Sequence, residues 1–135
     1  MYAGLLYLLF MTETVKILIA DDSEMMRLVM KRLFTKYVVS PNISETRNLP
    51  DTINYLKEKE IDFLLLDINM PQGDSNPDTI REILTIQPDI KICMFSGNDK
   101  DLLEQDFLAA GAVGFVQKDE KMGDSLQQVI NSVFN

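Results

Sequence analysis

Residues 62–71 read DFLLLDINMP. The run from Phe63 to Leu66 is apolar without alternation and too short for a helix, which predicts a central strand over 62–66 covered on both faces, as in a parallel sheet. Asp67 follows directly at its carboxyl end. On either side similar runs recur: VKILIA at 15–20, KICMF at 91–95, VGFVQ at 113–117, and a weaker one near 43–47. Between them, apolar residues return every three or four positions, predicting helices over 23–37, 51–59, 78–87, 100–110 and 124–134. Ser23 is the expected N-cap of the first, with Met25, Met26, Val29, Leu33, Phe34 and Tyr37 on its inner side. Pro50 announces the second, which carries Ile53 and Leu56 inward. Strands and helices in strict alternation, joined by right-handed crossovers, predict an α/β, doubly wound, three-layer domain around a parallel five-stranded sheet.

Ligands of such sheets bind outside the carboxyl ends of the strands. Polar residues collect at those ends: Asp21 and Asp22 after the first strand, Asp67 after the third, Ser96 after the fourth, and Lys118 close to the fifth. One shallow pocket would then hold three carboxylates, a hydroxyl and an ammonium. Crowded carboxylates repel unless a cation holds them, and an open oxygen site of this size suits magnesium, which keeps waters and a phosphate in its shell. Calcium wants more ligands than these residues offer.

The 135 residues, 46% of them apolar, suffice for one domain with one core. Thirteen basic against twenty-one acidic side chains give a net charge of -8 with no basic block, which argues against direct nucleic-acid binding. The chain has no histidine, so the usual zinc sites, the Ser-His and Cys-His nucleophile pairs and a phosphohistidine of its own are all excluded. Any phosphate must arrive from elsewhere. The single cysteine, Cys93, lies in an apolar run, in keeping with a reducing cytoplasm. The apolar opening MYAGLLYLLF stops before Met11 and is too short for a membrane span, which needs about 20 residues. Residues 1–13 are expected to be an extension outside a domain at 14–135, read either as an upstream start or appended segment, or as an apolar handle for a partner or second copy.

Four motifs in order, ILIADDS (17–23), LLLDINMP (64–71), MFSG (94–97) and GAVGFVQK (111–118), carry a resemblance. From about residue 15 to 134 the chain resembles the response-regulator receiver domain. The resemblance implies a flavodoxin-like (βα)5 fold with strand order 2-1-3-4-5. It implies that Asp67 is phosphorylated by a partner sensor histidine kinase or histidine phosphotransfer protein, and that Asp21, Asp22, Asp67 and the backbone carbonyl of Asn69 hold magnesium, with manganese as a possible substitute. Ser96 would hydrogen-bond the phosphoryl oxygens, Lys118 would pair with them, and Phe115 would be the aromatic that moves inward. Such a domain is no enzyme in the ordinary sense, since it catalyses only its own phosphorylation and dephosphorylation.

Independently of the family, in-line phosphoryl transfer needs an acceptor oxygen, charge neutralisation and positioning more than acid-base work. Asp67, magnesium and Lys118 meet those needs. Asn69 and Asn98 at the pocket mouth should tune the lifetime of the aspartyl phosphate, and Gly97 leaves room for a bulky donor. The responding surface would comprise helix 100–110, strand 113–117 and helix 124–134; with nothing after Asn135, output is a protein contact there, or the chain is a fragment.

Each residue has a plainer reading. Asp21 and Asp22 could cap a helix, Ser96-Gly97-Asn98 could be a turn, Phe115 could be core and Lys118 a solvated lysine. Met25 and Met26 flank the acidic pair and could cover a docking surface. The loop MPQGDSNPDT departs from the family, with Ser75 at the glycine position and an extra proline at 77. Two other classes compete. A haloacid-dehalogenase-type phosphatase needs a second aspartate two residues after its nucleophile, where Asn69 stands, and places that nucleophile on the first strand. A phosphorylation-independent interaction module could retain the pocket by descent.

Overall fold

In the computed structural model, which describes residues 14–134, β3 (Phe63–Asp67) is the middle of a five-stranded sheet and is buried along its whole length. Its neighbours are β1 (Val15–Ala20) and β4 (Lys91–Ser96), with β2 (Pro41–Thr46) outside β1 and β5 (Gly114–Gln117) outside β4. All pairings are parallel and the order is 2-1-3-4-5, as expected for a flavodoxin-like domain. The expectations for residues 1–13 lie outside the described residues.

Because side chains alternate across a strand, each strand feeds two cores. Leu18, Leu64, Leu66, Ile92, Met94 and Phe115 face one side, covered by α2 (Leu49–Glu58), α3 (Pro77–Ile86) and α4 (Lys100–Ala110) through Leu56, Ile80, Ile83 and Phe107. Ile17, Ile19, Phe63, Leu65, Phe95 and Val116 face the other, covered by α1 (Glu24–Tyr37) and α5 (Met122–Phe134) through Met30, Phe34, Leu126 and Ile130. Burying each of these side chains is worth about 1.5–3 kcal/mol, which makes the unbroken apolar run of β3 the main anchor of both layers. Gly111 ends α4 at φ +120°, and a Cβ there would come within 2.5 Å of Leu84 Cδ1, so the helix can stop and turn into β5 only at a glycine.

Several boundaries differ from expectation, each for a local reason. The strand expected near 43–47 runs Pro41–Thr46; as the outer strand it tolerates proline, and its polar side chains hid its beginning. The helix expected over 51–59 starts at Leu49, because Asn48 rather than a later residue is the N-cap and its side chain accepts the Asp51 N–H at 2.8 Å. The helix expected over 78–87 begins at Pro77 behind a capping box of Asn76 and Thr79, and the one expected from 124 begins at Met122. β3 extends one residue further than 62–66 and includes Asp67. Ser23 does cap α1, accepting the Met26 N–H at 3.2 Å. Of the inner face expected for that helix, Phe34 is buried and Met26, Leu33 and Tyr37 pack partly buried against the same core, whereas Met25 is 70% exposed and Met30 and Arg27 are buried beside them.

Candidate functional site

The carboxyl ends of β1, β3, β4 and β5 meet at one edge of the sheet. Ala20 pairs with Leu66 and Asp67 with Phe95, so the Asp21–Asp22 turn and Asp67 leave the sheet side by side. Asp21, Asp22 and Asp67 each bring a carboxylate oxygen within 4.8 Å of the others; Asp21 and Asp67 are buried and Asp22 is exposed. Lys118, just past β5, sets its Nζ 2.9 Å from Asp21 Oδ2 and 3.3 Å from Asp67 Oδ2, over the Phe95 ring at 4.9 Å from its centroid. It is therefore not a solvated lysine. The structure brings these four expected residues together.

The details show how each is held. Asp21 Oδ1 accepts the Ser23 N–H at 2.8 Å, whereas its Oδ2, fully buried, accepts no hydrogen bond and has only the ion pair to Lys118. A buried carboxylate oxygen in that state fits a further cationic partner, and the surrounding donors are hard oxygens, the set that magnesium or calcium takes. Burial pushes the Asp67 carboxyl up to about 6, Lys118 opposing the rise and the charge of Asp21 adding to it. Asp67 Oδ1 accepts the Asn69 N–H at 3.3 Å.

Ser96, the last residue of β4, is fully buried, and its Oγ accepts the Asn98 N–H at 3.0 Å. Asn98 reaches across the pocket mouth, its side chain donating to Asn69 Oδ1 at 2.7 Å. A Cβ on Gly97 would meet nothing within 4 Å, so the entrance beside Ser96 is open. Phe115 is not at the pocket surface. It pairs with Met94 in the sheet, lies 2% exposed against Phe107 with ring centroids 6.2 Å apart, and is thus already inside in this conformation.

Two contributors had no role in the site assigned from sequence, although Ser75 stood out there as a departure at a glycine position. Ser75, the departure from the family's glycine, is buried; its hydroxyl donates to the Asp67 carbonyl at 3.3 Å and its N–H to the Ile68 carbonyl at 2.8 Å. The loop following Asp67 thereby folds back on it through Gln72 and Gly73, both at positive φ. Arg27 reaches the Asp21 carbonyl from α1. A cavity of about 360 Å³ lies at the opposite edge of the sheet, lined by Lys57, Asp62, Gln87 and Asp89 among others, away from these groups. Cys93 plays no part: burial pushes its thiol up to about 12, which leaves no nucleophilic thiolate at neutral pH. Among the described residues no helix is long and apolar enough to cross a membrane.

The family model for the response regulator receiver domain matches residues 17–131. The chemotaxis protein CheY of Thermotoga maritima is 32% identical over 105 residues, covering 76% of this chain and 84% of that protein. CheY of Bacillus subtilis is 29% identical over 120 residues, covering 89% and 98%. The response regulator GacA of Pseudomonas aeruginosa is 26% identical over 89% of this chain, which spans only 55% of its length. Among solved structures, a response regulator from Thermotoga maritima superposes with TM-score 0.74 at 25% identity, covering 90% of this chain and 98% of that one. A Burkholderia pseudomallei response regulator, solved with a phosphorylated aspartic acid, a calcium ion and citrate, shares the fold at TM-score 0.71 and 15% identity, covering 90% of this chain and 66% of that one.

Proposed function

The chain belongs to the response regulator receiver domain family, and from that premise we propose that Asp67 accepts a phosphoryl group from a partner sensor histidine kinase or histidine phosphotransfer protein and so switches a protein-binding face. The observation that carries this reading is the meeting of three carboxylates with the Lys118 ammonium at the carboxyl edge of the sheet, Asp67 among them.

With its carboxyl titrating near 6, Asp67 is largely a carboxylate at neutral pH and so a competent nucleophile. One of its oxygens attacks phosphorus in line. The new P–O bond forms as the donor's P–N bond breaks, and the leaving imidazole nitrogen keeps the electron pair and takes a proton from solvent. When held by the carboxylates of Asp21, Asp22 and Asp67 and the backbone carbonyl of Asn69, magnesium, or manganese in its place, supplies the positive charge that lets a phosphoryl dianion approach. Lys118 is placed to exchange its Asp67 contact for a phosphoryl oxygen. The Asn69–Asn98 hydrogen bond spans the mouth, where these two side chains govern how water reaches the acyl phosphate and hence its lifetime.

Ser96 is the link outward. A phosphoryl oxygen offers its O–H an acceptor, which draws on the Asn98 backbone and the start of α4. Phe115, packed between β4 and Phe107, lies in the path from there to the face formed by α4, β5 and α5, where Leu102 is 77% exposed. In this reading the domain, residues 14–135, works in the cytoplasm without touching nucleic acid.

Acetyl phosphate with magnesium, followed by intact-protein mass measurement, tests the proposal. A stable gain of one phosphoryl group, abolished in Asp67→Asn, is expected. No gain favours a passive interaction module, and steady hydrolysis of a phosphoester favours a phosphatase, a reading that Asn69 at the position of the required acid already opposes.

A further inference from the structure

Arg27 is the one buried basic side chain among the described residues, 4% exposed on the inner face of α1. Its Nη1 donates to the main-chain carbonyl of Asp21 at 2.8 Å and its Nε to Glu45 Oε1 at 2.9 Å, while Lys31 Nζ takes the other Glu45 oxygen at 3.1 Å. The Asp21 N–H donates to the Thr46 carbonyl at 3.1 Å. Asp21 is thus tied at both ends of its backbone, to β2 through Thr46 and to α1 through Arg27, and Glu45 itself stands on β2 opposite Ile19. Packing does not require a guanidinium there. A buried charge is costly to desolvate, and an apolar side chain of similar length commonly serves a core equally well. What an apolar side chain cannot do is hold the Asp21 carbonyl.

We propose that Arg27 is a positioning residue for the cation site, locking the Asp21–Asp22 turn so that both carboxylates face Asp67, with Glu45 keeping the guanidinium aimed. This rests on the receiver reading of the site. Two effects of opposite sign compete when Arg27 is removed. Loss of a nearby positive charge tightens cation binding, but the Glu45 carboxylate, which Arg27 shares with Lys31, partly offsets that charge across a 2.9 Å ion pair. Loss of the lock lets the turn relax and weakens binding, and outer-shell partners of metal ligands typically contribute roughly 10- to 100-fold in affinity. The lock therefore dominates.

Calorimetric titration of Mg2+ alone into the full chain at neutral pH tests this, alongside urea unfolding of each protein. Arg27→Met is expected to fold, to be less stable in urea because the buried Asp21 carbonyl is left without its donor, and to bind Mg2+ roughly 10-fold more weakly in its folded state. Glu45→Gln is expected to lose about three-fold, a fraction of the same effect. Ile130→Val, a core truncation on the inner face of α5, should be less stable but bind like the parent. Mg2+ affinity of Arg27→Met and Arg27→Gln within two-fold of the parent, or tighter, overturns the inference. Absence of Mg2+ binding in the parent overturns the proposed cation-dependent function and the inference with it, whereas a parent that binds beside an unaffected Arg27→Met overturns the inference alone.

Discussion

Asp67 occupies a place that costs the fold free energy. Its carboxyl rises from an ordinary 3.8 to about 6 on folding, so between those values the folded chain binds more protons than the unfolded one, and stability falls as pH rises through that window. The favourable, protonated state is fully present below pH 3.8 and lost above about 6. Asp67→Asn removes the penalty. Two units correspond to about 3 kcal/mol, reduced to roughly 1–2 kcal/mol by solvent at the pocket mouth. In magnesium-free buffer the variant should be more stable than the parent by that amount at pH 8 in urea titrations, and the gain should vanish below pH 4; equal stability at pH 8 would refute the argument. Under the proposed function, site chemistry and fold stability thus pull in opposite directions at this residue.

At the scale of elements, α3 and α2, which share one core, are also bridged by the hydrogen bonds of a side chain far from the pocket. Gln87 follows α3 and donates through Nε2 to the carbonyls of Leu56 (2.8 Å) and Lys59 (2.7 Å), while its Oε1 accepts the Ile61 N–H at 3.0 Å. Carbonyls at the end of α2 that would otherwise lack partners are satisfied there, just before β3 begins. Gln87→Ala should therefore cost about 2 kcal/mol in urea unfolding and leave the mass gain proposed for acetyl phosphate treatment unchanged, whereas Asp89→Ala, exposed nearby, should cost under about 0.5 kcal/mol. A loss at Gln87 no larger than that at Asp89 would show the bridge to be incidental. The same region was the hardest to place from sequence. β2 is an outer strand whose polar residues show no buried alternation, and α2 is started by the Asn48 side chain two positions before the point at which apolar periodicity becomes visible. Where an element is specified by one capping hydrogen bond, periodicity carries little of the information.

Across the whole molecule, the pocket draws on β1, β3 and β5 and exists only once the chain is folded. Binding there must stabilise the fold, by about 2.7 kcal/mol when free magnesium is a hundred times its dissociation constant. Calorimetry should show a melting temperature several degrees higher with magnesium than with a chelator, and a smaller rise in Asp22→Asn; identical melting in the two buffers would remove the cation site from the account. The layout behind this was legible at once in the sequence. The apolar runs of β1, β3, β4 and β5 and the helical periodicities between them dictate a parallel sheet, and a parallel sheet dictates that Asp21, Asp22, Asp67, Ser96 and Lys118 reach one edge, because hydrophobic patterning is a local property and crossover handedness is nearly invariant. Tertiary structure alone decided the rest: that Asp21 Oδ2 is buried facing Lys118, that Ser75 ties the loop back to Asp67, that Arg27 places a buried charge on the Asp21 carbonyl, and that Phe115 is already inside. Each of these depends on contacts between residues distant in the chain, and their energies come from burial and hydrogen-bond geometry that no local pattern encodes.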